Sequence, residues 1–106
     1  MKTIILGMLM AAGLAVAGGA MATEMPDLAK AHKCDSCHSI EERVVGPAWK
    51  SVAEKYRNDP SAPAKLQTKV SKGGRGVWGT MPMPANDPDG KYQEDIRAII
   101  KIILAL

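Results

Sequence analysis

The chain has 106 residues, with 14 Lys and Arg against 11 Asp and Glu for a net charge of +3. That is room for one domain, and too mild a charge for a nucleic-acid binder, since no basic run is interleaved with aromatics. It has no Phe, two Trp and two Tyr, so any compact fold is short of bulky apolar side chains and needs a staple.

The beginning of the chain reads as a leader. Lys2 gives a short positive start, Ile4 to Val16 is apolar, Gly18-Gly19 breaks the run, and Ala20-Met21-Ala22 is a small-x-small cleavage pattern. These are the parts of a secretory signal peptide. An uncleaved membrane anchor is the alternative, because the run is nearly long enough to span a bilayer; the glycine pair and the cleavage pattern favour removal. Residues 1–22 are expected to be cut away, leaving residues 23–106 as one domain in the periplasm with no stable membrane insertion. The cations of that domain gather in mid-chain at Lys50, Lys55, Arg57, Lys65, Lys69, Lys72 and Arg75. They read either as solvated helix faces or as a basic rim that steers an acidic partner.

Pro26 and Asp27 open a first helix, proline being pre-set for a first turn and an acid suiting the positive end of the dipole. Leu28 and Ala31 give it a modest apolar face. His32 lies in this helix and is expected at the surface. The helix runs into Cys34-Asp35-Ser36-Cys37-His38, which has the C-x-x-C-H spacing of c-type haem attachment. Two thiols add across the two porphyrin vinyl groups, one turn presents both sulfurs to one ring edge, and His38 falls under the iron as an imidazole donor. A zinc site needs four ligands, and outside this motif the chain offers only His32. A thioredoxin-like dithiol would sit in a βαβ setting, and no strand pattern is present. A structural disulfide is the remaining rival.

Ser39 to Val45 is a polar link leading to Gly46-Pro47. The carbonyl of Pro47 is a candidate acceptor for the second ring N–H of His38, which would fix the ring and make it a better donor. Ala48 to Arg57 reads as a helix with Trp49, Val52, Ala53 and Tyr56 on one face. Asn58-Asp59-Pro60 ends it. Pro63 can occupy the first turn of another helix, with Leu66 and Val70 on one face and Gly73-Gly74 as its stop.

The stretch from Gly73 to Asn86, GGRGVWGTMPMPAN, is too rich in Gly and Pro for a helix or strand. Beyond the leader the methionines are Met25, Met81 and Met83. A thioether is a soft neutral donor, and His/Met ligation raises the reduction potential of haem iron. Met83 has a proline on each side, Pro82 and Pro84, which fix φ and lower the entropy lost in ordering the loop. Met81 has one proline only, so Met83 is the candidate axial ligand. Trp78 carries an N–H that needs an acceptor, for which a haem propionate is suited. Asn86 is placed to bond either the loop or the ligand sulfur. The last helix is expected from about Asp89 to Leu106, with Tyr92, Ile96, Ile99, Ile100 and Ile103 on one face. Ile102 and Leu104 lie off that face. Burial under a crossing first helix is the expected fate of the extra side, with a dimer or membrane contact as the alternative.

The stretches DLAKAHKCDSCHSI, VVGPAWKSVAEKY and KVSKGGRGVWGTMPMPAN resemble the small bacterial class I cytochromes c of the c-551/c-552 group, and together they cover most of the domain. The resemblance implies an all-α fold of about four helices wrapped around one covalent haem, with N- and C-terminal helices crossing. It implies Cys34 and Cys37 as thioether attachments, His38 and Met83 as axial ligands, Pro47 as the carbonyl partner of His38, Trp78 at a propionate and Asn86 supporting Met83. Two stretches depart from the group. Met81 stands where another aliphatic residue is common, and Asp87 to Lys91 has a sequence of its own. The implied function is electron transport without catalysis. One electron would pass between redox partners such as a quinol-oxidising complex, a terminal oxidase, a nitrite reductase or a peroxidase, with the chain a monomer. The rival class is a haem enzyme or gas sensor with a displaceable sixth ligand.

Overall fold

The computed structural model describes residues 24–106; the expected signal peptide, residues 1–22, lies outside the described residues. Four α-helices follow one another: α1 (Asp27–Ala31), α2 (Trp49–Tyr56), α3 (Ala62–Lys72) and α4 (Gln93–Leu104), with a 3-10 turn at Cys34–Ser36 between α1 and α2. Among the described residues the only β-type pairings are two isolated bridges, His38 with Arg43 and Gly74 with Met83. No helix among them is long and apolar enough to cross a membrane.

α1 is short because the chain turns sharply after it. The N–H of Lys33 bonds the Lys30 carbonyl at 2.9 Å, and Lys33 takes φ 60, the only left-handed non-glycine residue among those described. An L side chain there costs about 1–2 kcal/mol. The chain then enters the turn at Cys34, closed by N–H groups of Cys37 and His38 on the Cys34 carbonyl.

α2 begins at Trp49, one residue later than the periodicity suggests, and buries Trp49, Val52 and Ala53. α3 starts at Ala62 with Pro63 in its first turn. Asp59 organises that start: its carboxylate accepts the Ser61 N–H at 2.9 Å, the Ser61 hydroxyl at 2.6 Å and the Lys65 ammonium at 2.9 Å. The Ser61 hydroxyl, the Lys65 ammonium and the Ser61 N–H hold the carboxyl down at about 2 against an ordinary 3.8. A carboxyl depressed in the folded state stabilises the fold above its unfolded pKa, and that stability is lost as pH falls through the folded one. Denaturation at stepped pH is therefore expected to show wild type weakening between 3.8 and about 2, whereas Asp59→Asn has a flatter acid limb over that window. Identical limbs would remove Asp59 from the account.

α4 begins at Gln93 rather than at Asp89. The cause is Asp87, which is 4 % exposed. Its carboxylate accepts the N–H of Lys91 at 2.8 Å and of Tyr92 at 3.0 Å, and also the Gln93 amide. A turn from Asp87 to Gly90, closed by a 3.1 Å backbone bond, thus takes the place of the expected first helical turn. Burial opposes ionisation of Asp87. The Gln93 amide and the Tyr92 and Lys91 N–H groups, with His32 nearby, outweigh it and hold the carboxyl below its usual range.

The core lies where α4 meets the others. Ile96, Ile99, Ile100 and Ile103 pack with Ala29, Ile40, Trp49, Val52 and Leu66. α1 crosses α4, and Ala29 is wholly buried. Two details differ from expectation. Leu104 joins the core margin, but Ile102 stays 38 % exposed; a five-residue α1 is too short to cover both. His32 is not a free surface residue. Its Nε2–H donates to Asp95 Oδ2 at 3.0 Å, and its ring meets Tyr92 edge-on with centroids 5.1 Å apart. The crossing thus carries a polar bond from α1 to the first turn of α4 beside the apolar contact at Ala29.

Candidate haem site

Between the Cys34–Pro47 segment and the 73–86 loop lies a cleft enclosing about 1030 Å³, part of it open to solvent. Its floor is the core itself: Trp49, Val52, Leu66, Ile99, Ile100 and Ile103 all line it. Core and cofactor shell are one surface here.

On one wall stand Cys34, Cys37 and His38. Both cysteines are half-buried and unbonded to each other, and among the described residues no three His, Cys, Asp or Glu side chains are grouped to hold a metal ion. Burial first, then the neighbouring Asp35 carboxylate, push the Cys34 thiol above its usual range. The segment after His38 folds back, with the N–H groups of Val45 and Gly46 on the Cys37 carbonyl at 3.2 and 2.8 Å. This return brings Pro47 to the imidazole: His38 Nδ1–H donates to the Pro47 carbonyl at 2.8 Å. With Nδ1 committed as the donor, neutral His38 keeps a lone pair on Nε2 for a metal.

Gly46 makes room for that ring. A Cβ there would sit 2.5 Å from His38 Cε1 and 2.9 Å from Nδ1. The backbone at Gly46 is itself tied to Cys37, so the ring must yield. Gly46→Ala is expected to destabilise the protein by about 1–3 kcal/mol and to shift the absorption of the bound chromophore; an unchanged thermal midpoint and spectrum would contradict the packing.

The opposite wall is the Gly/Pro-rich loop. Gly74 and Met83 exchange two backbone bonds, at 3.0 and 2.8 Å, so the methionine is held by its own main chain. Gly73 permits this: it has φ 75, and a Cβ would lie 2.4 Å from the Met83 carbonyl oxygen. Met83 is half-buried, whereas Met81 is 63 % exposed; both line the cleft. Asn86 bonds the loop rather than a sulfur: its amide donates to the Val70 and Pro84 carbonyls at 3.3 and 3.2 Å, and its N–H bonds Val70 at 3.0 Å. Trp78 lines the cleft, with the Lys55 ammonium 5.6 Å from its ring centroid.

All seven candidate residues except Asn86 thus line one cleft, and Asn86 anchors the end of its loop. Sequence reasoning missed Gly46, Gly74 and Arg43. Gly46 carried a faint signal, as a glycine before a proline near the motif; the pairing of Gly74 and the reach of Arg43 are tertiary and left none.

The cytochrome c family model matches residues 16–106. The chain belongs to the cytochrome c family. It is 46 % identical to cytochrome c-552 of Nitrosomonas europaea over 99 residues, covering 90 % of this chain and 94 % of that protein. It is 42 % identical to cytochrome c-551 of Pseudomonas aeruginosa over 105 residues, covering 99 % and 98 %. The crystal structure of the wild-type Nitrosomonas europaea cytochrome c552 superposes with a TM-score of 0.70 at 42 % identity, over 76 % of this chain and 96 % of that one. This cytochrome is of the c-551/c-552 group and is an electron carrier rather than an enzyme. Its cofactor is one covalent haem c, with Cys34 and Cys37 as the CxxC pair. The residues present fit that group: an apolar floor, two half-buried thiols, and a histidine and two methionines that line the same cleft.

Proposed function

We propose that this cytochrome c is a periplasmic carrier of single electrons with His38 and Met83 as axial ligands. The reading rests on one observation above the others. An imidazole oriented by the Pro47 carbonyl and a thioether clamped by its own backbone line the same cleft from opposite segments. When bound, the haem supplies an iron that alternates between ferrous and ferric. His38 donates through Nε2, and Met83 gives a soft donor that favours the reduced state. Trp78, which lines the cleft, would donate its N–H to a propionate. Asn86 keeps the loop end on α3. With the His38 ring held by the Pro47 carbonyl and the Met83 backbone paired with Gly74, little would need to move when the charge on the iron changes.

The mouth of the cleft is a docking face. Val45, Val77 and Met81 are exposed there, and Arg43, Lys69 and Arg75 line the cleft beside them. A small apolar patch inside a basic rim suits a brief encounter with an acidic redox protein, steered by charge. A quinol-oxidising complex, a terminal oxidase, a nitrite reductase or a peroxidase would supply such a surface. In this reading residues 1–22 are removed as the signal peptide, and residues 23–106 act as a monomer in the compartment where haem is attached.

The test is optical. The ferric protein is expected to show the weak long-wavelength iron–sulfur band, and the ferrous protein to take up no carbon monoxide. Carbon monoxide binding without prior loss of the sulfur ligand would instead favour a ligand-binding enzyme or sensor.

A further inference from the structure

Arg43 joins the two walls of the cleft. Its backbone pairs with that of His38 in an isolated antiparallel bridge. Its guanidinium Nη2 donates to the Trp78 carbonyl at 2.9 Å, a partner 35 residues along the chain. The same nitrogen lies 3.5 Å from where a Cβ would stand at Gly79, so it rests against the tip of the loop. That tip closes on itself through the Gly76 N–H on the Gly79 carbonyl at 2.9 Å. Asn86 and Asp87 tie the far end of the loop to α3. Among the described residues, no other side-chain hydrogen bond runs from the His38 segment to this loop.

We propose that Arg43 is a positioning residue, a strap that holds the Met83 loop shut against the His38 wall and so sets how readily an outside ligand replaces the methionine sulfur. The inference rests on Met83 as the axial ligand. A guanidinium on a carbonyl is a charge-assisted bond, here made by one nitrogen, and it acts where, among the described residues, the loop tip has no other side-chain hold on the His38 segment. Opening the loop breaks it; the rest of the fold stays in place.

The experiment compares holoprotein Arg43→Met with wild type. Imidazole is added to the ferric protein at a pH where imidazole is neutral, so loss of a positive charge alone does not alter its affinity. The iron–sulfur bond breaks and an iron–nitrogen bond forms, with no change of oxidation state. The rate at which displacement saturates, set by loop opening, is expected to rise about three- to ten-fold, the worth of one such bond. Amide exchange at Gly74 and Met83 in the reduced holoprotein should rise with it, while the amides of Ile99 and Ile100 in α4 exchange as in wild type. Arg43→Lys, keeping a cationic donor on a shorter reach without the planar guanidinium, should fall between. Imidazole displacement indistinguishable from wild type overturns the strap, as does faster exchange spread equally into α4. Met83→Ala separates the two claims. If it keeps the iron–sulfur band, the ligand assignment fails. If it loses the band while Arg43→Met behaves as wild type, only the strap fails.

Discussion

Met83→Ala is expected to abolish the iron–sulfur band of the ferric protein, open the iron to imidazole and carbon monoxide, and lower the reduction potential. A soft neutral thioether favours ferrous iron, and its replacement by water or an added nitrogen base removes that preference. Met83 is also half-buried against the cleft, so its truncation should cost about 2 kcal/mol or more in stability. Met81→Ala is the internal control. Its side chain is 63 % exposed and its backbone lacks the paired bonds that hold Met83 to Gly74. It should leave the band, the ligand behaviour and the thermal midpoint close to wild type. If Met81→Ala loses the band and Met83→Ala keeps it, the assignment is reversed.

The second large effect arises from the floor of the cleft. Trp49, Val52, Leu66, Ile99, Ile100 and Ile103 belong to the core and also line the cavity. Without an occupant in the cleft those residues lack packing partners on that side, and a small domain has little other burial to draw on. Replacing both Cys34 and Cys37 by Ala removes the covalent hold on the haem. The expected product is a chain that keeps no colour on a denaturing gel and has lost most of the ~5–15 kcal/mol typical of a folded domain. Circular dichroism should report little helix at 25 °C. A well-folded, cooperatively melting, colourless variant would show that the four helices need no cofactor to hold together.

Legibility of this fold in its sequence divides along the range of the interactions. The face of α2 at Trp49, Val52 and Ala53 and the stripe Ile96, Ile99, Ile100 and Ile103 are periodic patterns, readable within a few residues. The stop at Gly73 is likewise local. The true start of α4 is hidden because Asp87 spends its carboxylate on Lys91, Tyr92 and Gln93, a capped turn with none of the usual N-cap spacing. His32 reads as a surface residue because its partner, Asp95, lies 63 positions away. Ile102 reads as buried because periodicity says which side is apolar, not whether a short neighbour reaches it. In the site, the C-x-x-C-H spacing is self-contained. The clamp on Met83 depends on Gly74, and the link from Arg43 to Trp78 crosses the cleft; neither has a local signature.

The paired backbone bonds between Gly74 and Met83 have an evolutionary consequence. They pinch off residues 75–82 as a separate lobe, and within it the exposed side chains of Val77 and Met81 can change without breaking the backbone pairing that holds Met83. Natural selection can therefore redraw the lobe's outer contour, at Val77 or Met81, to suit a new docking protein, while the chemistry at the metal is inherited intact.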